Sequence, residues 1–531
     1  MIFMIATSSI TELLNNSCST YSDKIALICN GEQLTYGDLS SLSKSFALYL
    51  KQQGLRKGDV IALMMPNVLA YPIALFGAFH LGLTVVNVNP MYTAPEVKKV
   101  INDSNVDAMV VFAPVMAKVS SLKEAASFKC IVSVLPGPTL TGSSTVDQRN
   151  ENTFQNIIFM EGTSSGDSQK IEQCDISPDD IAFLQYTGGT TGSPKAAMLS
   201  HANVVAAVSQ FQSSMTFMEP GEEVILAPLP LYHIFGLVVT LFGSLVQGSR
   251  VLLVPDPRDI PSMADLLRQW PVTIMYGVSA LFSGLYHLGN LAAEDLSSLK
   301  LCASGATALS KDVANKWQGL SGCPVVEGYG MTETSGIVSL QSDIRSKLFG
   351  TVGKQPEGVE ISIRDEKGTD VATGEPGELC VKGPQVMVGY LNNQKETNEV
   401  FTEDGFLKTG DIAKIDQDGF VWLIDRVKDM INVSGFNVYP NEVEQIIDTY
   451  DGIIESCCVG SFDKKSGEVV KAFIVSTSEV DNEALLAHCR NYLTPYKIPK
   501  QIISVPSLPK SPVGKILRRE LKELTDAVLD V

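Results

Sequence analysis

Apolar and polar residues along the first 110 or so positions alternate between two periods. Leu39, Leu42, Phe46 and Leu50 stand at helical spacing, with Thr35 able to cap the segment and Gly54 able to end it, so a helix is expected over about residues 37–53. The apolar run that follows predicts a buried strand over 59–65, then a helix through 71–81 and a β-branched strand over 84–88. A helix over 95–103 and a strand over 107–112 continue the rhythm. Strands and helices alternating in this way argue for a parallel sheet covered by helices.

The pattern then changes twice. Residues 136–175 are rich in Gly, Ser, Thr and Asn and read as surface loop. Between about 348 and 425, short β-like runs are separated by close turns such as Asp365–Gly368 and Asp416–Gly419, which predicts a small β subdomain. Beyond Arg426 the signals run strand, helix, strand, helix. The expected fold class is therefore α/β. A large N-terminal domain of layered α/β subdomains would cover 1–426, including the β subdomain, and a small mobile α+β domain would cover 427–531. The longest strongly apolar run, 234–246, falls short of the ~18–20 residues that cross a bilayer and reads as a buried core helix.

Length and charge narrow the function. A chain of 531 residues is too long for one core. A formal net charge of −18 disfavours nucleic acid as a partner, although a nucleotide needs only a few local donors. Ten cysteines and five histidines (His80, His201, His233, His287, His488) lack zinc-ligand spacing, so free buried thiols in a reducing cytosol are expected. The N-terminus lacks the basic segment of a signal peptide. The expected location is cytoplasmic, with a peripheral association at the inner membrane surface left open, as is the oligomeric state, homodimer included.

Chemistry concentrates in five segments. Tyr186–Lys195, YTGGTTGSPK, follows a strand signal; its glycines allow close approach to phosphate oxygens, and its hydroxyls and lysine supply donors and charge. It is neither a P-loop nor a dinucleotide fingerprint, because Ser193 and Ala196 break the first pattern and no strand–GxGxxG–helix unit supports the second. Pro230–Gly236 sets His233 among apolar and aromatic neighbours. Glu327–Thr334 offers hydroxyls, an aromatic face and the carboxylate Glu333, suited to a purine and a Mg²⁺ ion. Thr409–Gly410–Asp411 places a carboxylate after a tight turn, and Lys515 follows Gly514 near the end of the chain. Singly, each has a bland reading: a glycine-rich turn, a core histidine, a solvated charged face.

In this order and at these separations, the segments resemble the adenylate-forming superfamily of acyl-CoA synthetases, luciferases and peptide-synthetase adenylation domains, over nearly the whole chain. Within it the sequence is most similar to bacterial long-chain fatty acyl-CoA ligases. The stretches 377–390 and 429–442, and Gly189 in the loop, carry that narrower likeness. The resemblance implies activation of a carboxylic acid by ATP and transfer of the acyl group to a thiol of coenzyme A, with Mg²⁺ required.

It further implies roles residue by residue. The nucleotide would be held by Thr187, Gly188, Gly189, Thr190, Thr191, Gly192 and Lys195, by Gly305 and Ala306, by Glu327, Gly328, Tyr329, Gly330 and Thr332, and by Asp411 and Arg426. Thr332 and Glu333 would hold the metal. Lys515, His233 and Glu333 would be catalytic, Lys428 the hinge, and Gly435 and Phe436 the coenzyme A contacts. Phe235, Gly236 and Val278 would line the acyl pocket. Lys515 and the Gly435 loop cannot both reach one small site at once, so the C-terminal domain is expected to alternate about Lys428. Ala196 stands where most relatives carry glycine, and its methyl is expected to tighten or perturb the phosphate loop and so weaken phosphate binding. An aromatic or medium-chain acid, or a carrier-protein acceptor, remains an alternative. The GxSxG match at 162–166 lies in the polar loop, without the strand and helix of a nucleophile elbow, and is read as chance.

Overall fold

The computed structural model describes residues 7, 9–120, 128–137, 139, 153–158, 174–187, 194–342, 348–434, 436–463, 466–510 and 515–526. The predicted βαβ rhythm of the first segment is present. Thr35 caps a helix over Tyr36–Gln52, its hydroxyl accepting from Asp38 N while the Asp38 carboxylate accepts from Thr35 N, a reciprocal capping box. Gly54, at φ +83°, takes the left-handed conformation that stops it. Strands Val60–Met64, Thr84–Asn87 and Ala108–Phe112 and helices Ala70–His80 and Ala94–Asp103 follow. Helix Ala70–His80 is apolar on all sides because every residue but His80 is buried, as expected of a helix inside the layers rather than on them.

Over the described residues the first compact unit spans 1–349, 353–360 and 382–405. One of its sheets has seven strands. Five, Ile181–Thr187 among them, run parallel, and Lys195–Ser200 returns antiparallel to Ile181–Thr187. The other has eight strands, six of them parallel: Val325–Tyr329, Leu301–Ser304, Ile274–Gly277, Val224–Ala227, Arg250–Leu253 and Ile25–Cys29. One face of this sheet packs Leu226, Leu252, Met275 and Cys302 against Phe282, Leu285 and Trp317, all fully buried. Each such aliphatic or aromatic side chain contributes about 1.5–3 kcal/mol by leaving water.

The second unit spans 350–352, 361–381 and 406–531. It holds most of a four-stranded sheet (Glu360–Arg364, Gly377–Lys382, Leu407–Ile415, Val421–Arg426) and a second sheet formed around the hairpin Ile453–Asp463 and Gly467–Ser476, with helices Pro440–Ile447 and Asn482–Tyr492. The turns foreseen at Asp365–Gly368 and Asp416–Gly419 are closed by Gly368 N to Asp365 O (2.9 Å) and Gly419 N to Asp416 O (3.0 Å). Most of the expected β subdomain thus clusters with the C-terminal residues rather than with the first unit.

Two local expectations are corrected and one residue is placed. The apolar run 234–246 is helical, but Phe235–Phe242 forms a π-helix, which continues as α-helix only over Gly243–Val246. A Cβ on Gly236 would meet Pro230 O at 2.3 Å, and one on Gly243 would meet the Phe211 ring at 2.7 Å, so both glycines are needed for the close packing of this segment. Within the stretch read as loop, Phe154–Ile158 is a short helix that buries Phe154 against Phe46, ring centroids 5.0 Å apart. Finally, Ala196 lies in the strand Lys195–Ser200, paired with Tyr186, and is buried among Tyr186, Leu184 and Val86. Its methyl joins that core, and the loop it was expected to affect lies outside the described residues. Among the described residues, no helix is long and apolar enough to cross a membrane, and nine of the ten free cysteines are buried.

Candidate active site

In the first unit, three neighbouring parallel strands end side by side. Gly277 is in register with Ser304, and Ser304 with Glu327, while Gly305 N donates to Gly277 O at 3.3 Å. The segments that leave these strands, Val278, Gly305–Ala306 and Gly330–Thr332, therefore lie together at the carboxyl ends of the strands, the place where open α/β sheets bind ligands. Ala306 adopts φ +65°, a left-handed turn that alanine takes only under constraint. A Cβ on Gly305 would sit 2.8 Å from the Phe235 ring, so Phe235 lies on the Gly305 backbone. A Cβ on Gly330 would meet Gly336 O at 2.0 Å, and only glycine fits there. Glu327 is engaged by this framework, its Oε1 accepting from Leu309 N at 3.1 Å.

His233 is half-buried at the foot of the π-helix, and its Nδ1 accepts from Phe235 N at 3.3 Å. That bond leaves the neutral ring its proton on Nε2. Val278 caps the helix Ser279–Leu288 and packs on the core below. Tyr276, one residue before Gly277, was not foreseen. It is fully buried, its ring lies 6.2 Å from Phe235 and 6.3 Å from Phe211, and its hydroxyl has no partner among the described residues.

Thr332 and Glu333 form a one-turn 3₁₀ helix. Glu333 is buried, and its Oε1 accepts from the hydroxyl of Tyr390 at 2.8 Å. Burial first, and the Glu333 charge second, push the Tyr390 phenol well up, so it stays a donor. The seven-stranded sheet brings Tyr390 here, because Gly389–Tyr390 pairs with Lys195–Ser200 at Met198 and Ala197. Lys195 forms an ion pair with Glu396 and lies 5.4 Å from the Tyr390 ring centroid. Neither Tyr390 nor Glu396 is among the residues to which the sequence motifs point, although Tyr390 closes the stretch 377–390. Thr187 and Lys195 are paired across the hairpin. The loop residues Gly188, Gly189, Thr190, Thr191 and Gly192 lie outside the described residues, as does the 162–166 match.

In the second unit, Asp411 pairs in register with Arg426 across two antiparallel strands, and Arg426 Nε stands 3.1 Å from Asp411 Oδ1. The turn before Asp411 is set by Gly410 at φ +72° and by Thr409, whose hydroxyl donates to Leu379 O (2.7 Å) and accepts from Asp411 N (3.1 Å). Lys515 is half-buried nearby. Burial, followed by the charges of Arg426 and Lys428, outweighs Asp411 and Asp429 and lowers its pKa to about 8. Lys428 is exposed, inside a turn in which Asp429 N and Met430 N both donate to Arg426 O at 3.1 Å. Gly435 lies outside the described residues. Phe436 is exposed and stacks on Tyr496, centroids 4.8 Å apart.

The donor set fits a magnesium ion. Mg²⁺ is held by one or two carboxylates and completes its shell with phosphate and water, and buried Glu333, next in the chain to Thr332, can offer one such carboxylate. No cluster of three or more His, Cys, Asp or Glu side chains occurs among the described residues, so a closed protein cage is not the arrangement on offer.

Comparison with known proteins agrees with this geometry. The AMP-binding enzyme family matches residues 14–391, and the AMP-binding enzyme C-terminal domain matches 442–515. The chain is 40% identical to a long-chain-fatty-acid–CoA ligase of Salmonella typhimurium over 97% of its own length and 94% of that protein. It is 31% identical to a 4-coumarate–CoA ligase of Narcissus pseudonarcissus over 94% of this chain and 91% of that one. Among solved structures, ATP-bound MatB of Rhodopseudomonas palustris superposes with a TM-score of 0.87 at 28% identity, covering 98% of this chain and 99% of that one. The chain belongs to the AMP-binding enzymes, the adenylate-forming family that its five motifs resemble.

Proposed function

We propose that the chain is a fatty acyl-CoA ligase that prefers long acyl chains. It joins a fatty acid to AMP with release of pyrophosphate, then transfers the acyl group to coenzyme A with release of AMP. The observation that carries the reading is similarity along the whole chain to long-chain ligases, at 40% identity over 97% of its length. Phe235, packed on the Gly305 backbone, and Val278, at the neighbouring strand end, supply apolar surface there and support it.

In the first step a carboxylate oxygen attacks the α-phosphorus and the bond to pyrophosphate breaks. Two anions must meet, so the residues act chiefly by neutralising charge and fixing geometry. Thr187 and Lys195 flank the phosphate-binding loop. Gly305, Ala306 and the Glu327–Thr332 segment form the shelf for the adenine, Asp411 takes the ribose hydroxyls, and Arg426 orients Asp411. Glu333 with Thr332 would hold Mg²⁺, which supplies charge neutralisation at the phosphates. His233 presents Nε2–H to the carboxylate, and Lys515 places its ammonium against the reacting oxygens. In the second step the thiol of coenzyme A attacks the acyl carbon, and the carbon–oxygen bond to AMP breaks. Rotation about Lys428 exchanges the Lys515 segment for the Gly435–Phe436 segment between the two steps.

The test is a panel of saturated acids from about C6 to C18, with coumarate, incubated with ATP, Mg²⁺ and coenzyme A while AMP and acyl-CoA are followed by mass spectrometry. An optimum at about C12 or longer is expected, because each added methylene that is buried contributes ~0.8 kcal/mol. Turnover of coumarate or short acids alone would move the chain to the aromatic reading that the 31% identical relative favours. AMP without free acyl-CoA would point to a carrier-protein acceptor.

A further inference from the structure

We infer that Asn441 is a latch that holds Lys515 in the arrangement used for adenylation and must open before acyl transfer. The inference rests on the two-step reading above, with rotation about Lys428. Asn441 lies beyond that hinge, in the helix Pro440–Ile447, yet it reaches back to the strand that precedes it. Its backbone N donates to Asp425 Oδ2 at 2.8 Å, and its side-chain Nδ2 donates to Ile424 O at 3.0 Å. On its other face, Asn441 Oδ1 accepts from Arg518 Nη2 at 2.7 Å.

Arg518 stands three residues after Lys515 and is itself well anchored. It donates to Cys458 O at 2.8 Å and to Glu444 Oε2 at 2.9 Å, and its Nε lies 3.8 Å from Asp429 Oδ2. Its side chain is 16% exposed, so these are contacts of low local dielectric. One residue therefore joins the strand end Ile424–Asp425, ahead of the hinge, to the segment that carries Lys515, behind it: its side-chain amide bridges Ile424 O and Arg518, and its backbone N reaches Asp425.

The arrangement divides the contacts by what rotation does to them. Cys458, Glu444, Asn441 and Arg518 all lie after Lys428 and can move together. Ile424 and Asp425 lie before it. Rotation about Lys428 must break the two bonds from Asn441 to Ile424 and Asp425 while leaving the Arg518 contacts whole. Asp425 is 5% exposed and also accepts from Arg426 N at 2.7 Å, so an acceptor fixed on the hinge-ward strand waits for Asn441 to return. Weakening the latch should shift the population away from the Lys515 arrangement, with opposite consequences for the two steps.

The experiment measures the half-reactions separately on the full chain carrying Asn441→Ala: acid-dependent exchange of pyrophosphate into ATP for adenylation, and transfer to coenzyme A from supplied acyl-AMP. Adenylation is expected to fall about tenfold, while acyl transfer stays level or rises about two- to threefold. Asp425→Asn, which keeps a neutral acceptor, should show the same pair of signs at smaller size and decides the matter if Asn441→Ala does not fold in a thermal melt. Equal losses in both half-reactions, or no change in either, would overturn the latch. Lys515→Ala run alongside separates the layers: if it fails to split the half-reactions, the two-arrangement reading is at fault. If it splits them and the Asn441 and Asp425 variants do not, the latch alone is wrong.

Discussion

Lys195 and Lys515 belong to different compact units and are kept in opposite electrostatic conditions. Lys195 is paired with the carboxylate of Glu396, on the helix Gln394–Val400, and lies over the Tyr390 ring. Lys515 is half-buried among Arg426, Asp411, Lys428 and Asp429, and desolvation, with Arg426 next, loosens its proton despite the two carboxylates. A cation already neutralised by a side chain can exchange that carboxylate for a phosphate at little electrostatic gain. A cation stripped of water by burial gains most when an anion arrives, and that gain is largest where charge gathers in the transition state. On that contrast we propose binding for the first lysine and chemistry for the second.

The sharpest way to break this division is Lys515→Ala. Loss of a preorganised electrostatic group costs roughly 10²–10³ in rate, about 2.7–4 kcal/mol, and that loss should fall on adenylation alone. Transfer to coenzyme A from supplied acyl-AMP should keep most of its rate. Equal loss in both half-reactions would show that Lys515 serves the fold or both steps.

The next effect is on pH. Burial and its cationic neighbours depress the Lys515 pKa from an ordinary 10.5 to about 8, so the ammonium is intact below pH 8 and lost as pH rises through it. Adenylation should fall about tenfold per pH unit well above 8 if the ammonium is required. The stability sign is opposite. A lysine with a depressed folded pKa disfavours the folded state while it is charged, so its contribution improves as pH rises from 8 towards 10.5. Acylation of Lys515 by an amine-selective reagent, read by peptide mass, should reach half its plateau near pH 8 in the protein without nucleotide, and higher once ATP is bound. Titration together with the surface lysines would remove the burial argument.

Both lysines were visible in the sequence; their surroundings were not. Thr35, Gly54 and the helical spacing of Leu39, Phe46 and Leu50 made their helix legible because capping and periodicity are local. The same holds for the glycine turns at Gly368 and Gly419. The π-helix was hidden because Phe235–Phe242 is apolar on every side and periodicity cannot count residues per turn without a polar face. Tyr390 and Glu396 were hidden because pairing of Gly389–Tyr390 with Lys195–Ser200 brings together residues far apart in the chain. The place of Ala196 was hidden for the same reason: that its methyl joins Val86 and Leu184 follows from strand pairing, and no motif states it.

The smallest effect tests the first half of the comparison. Glu396→Gln keeps the size and polarity of the side chain but removes the charge that holds Lys195. If Glu396 competes with phosphate for that lysine, the variant should bind ATP more tightly, lowering the KM for ATP about two- to fivefold with kcat little changed. The modest size follows from the pair being partly solvated: the Glu396 side chain is 33% exposed, and such ion pairs are worth no more than ~1 kcal/mol. If Glu396 instead holds Lys195 in the orientation that phosphate needs, the KM rises and the effect persists in high salt. Competition for a screened charge shrinks as salt is added, because the Debye length falls to about 3 Å at 1 M. The sign of the change in KM, measured at two ionic strengths, therefore decides whether Lys195 is a cation in storage or one held in place.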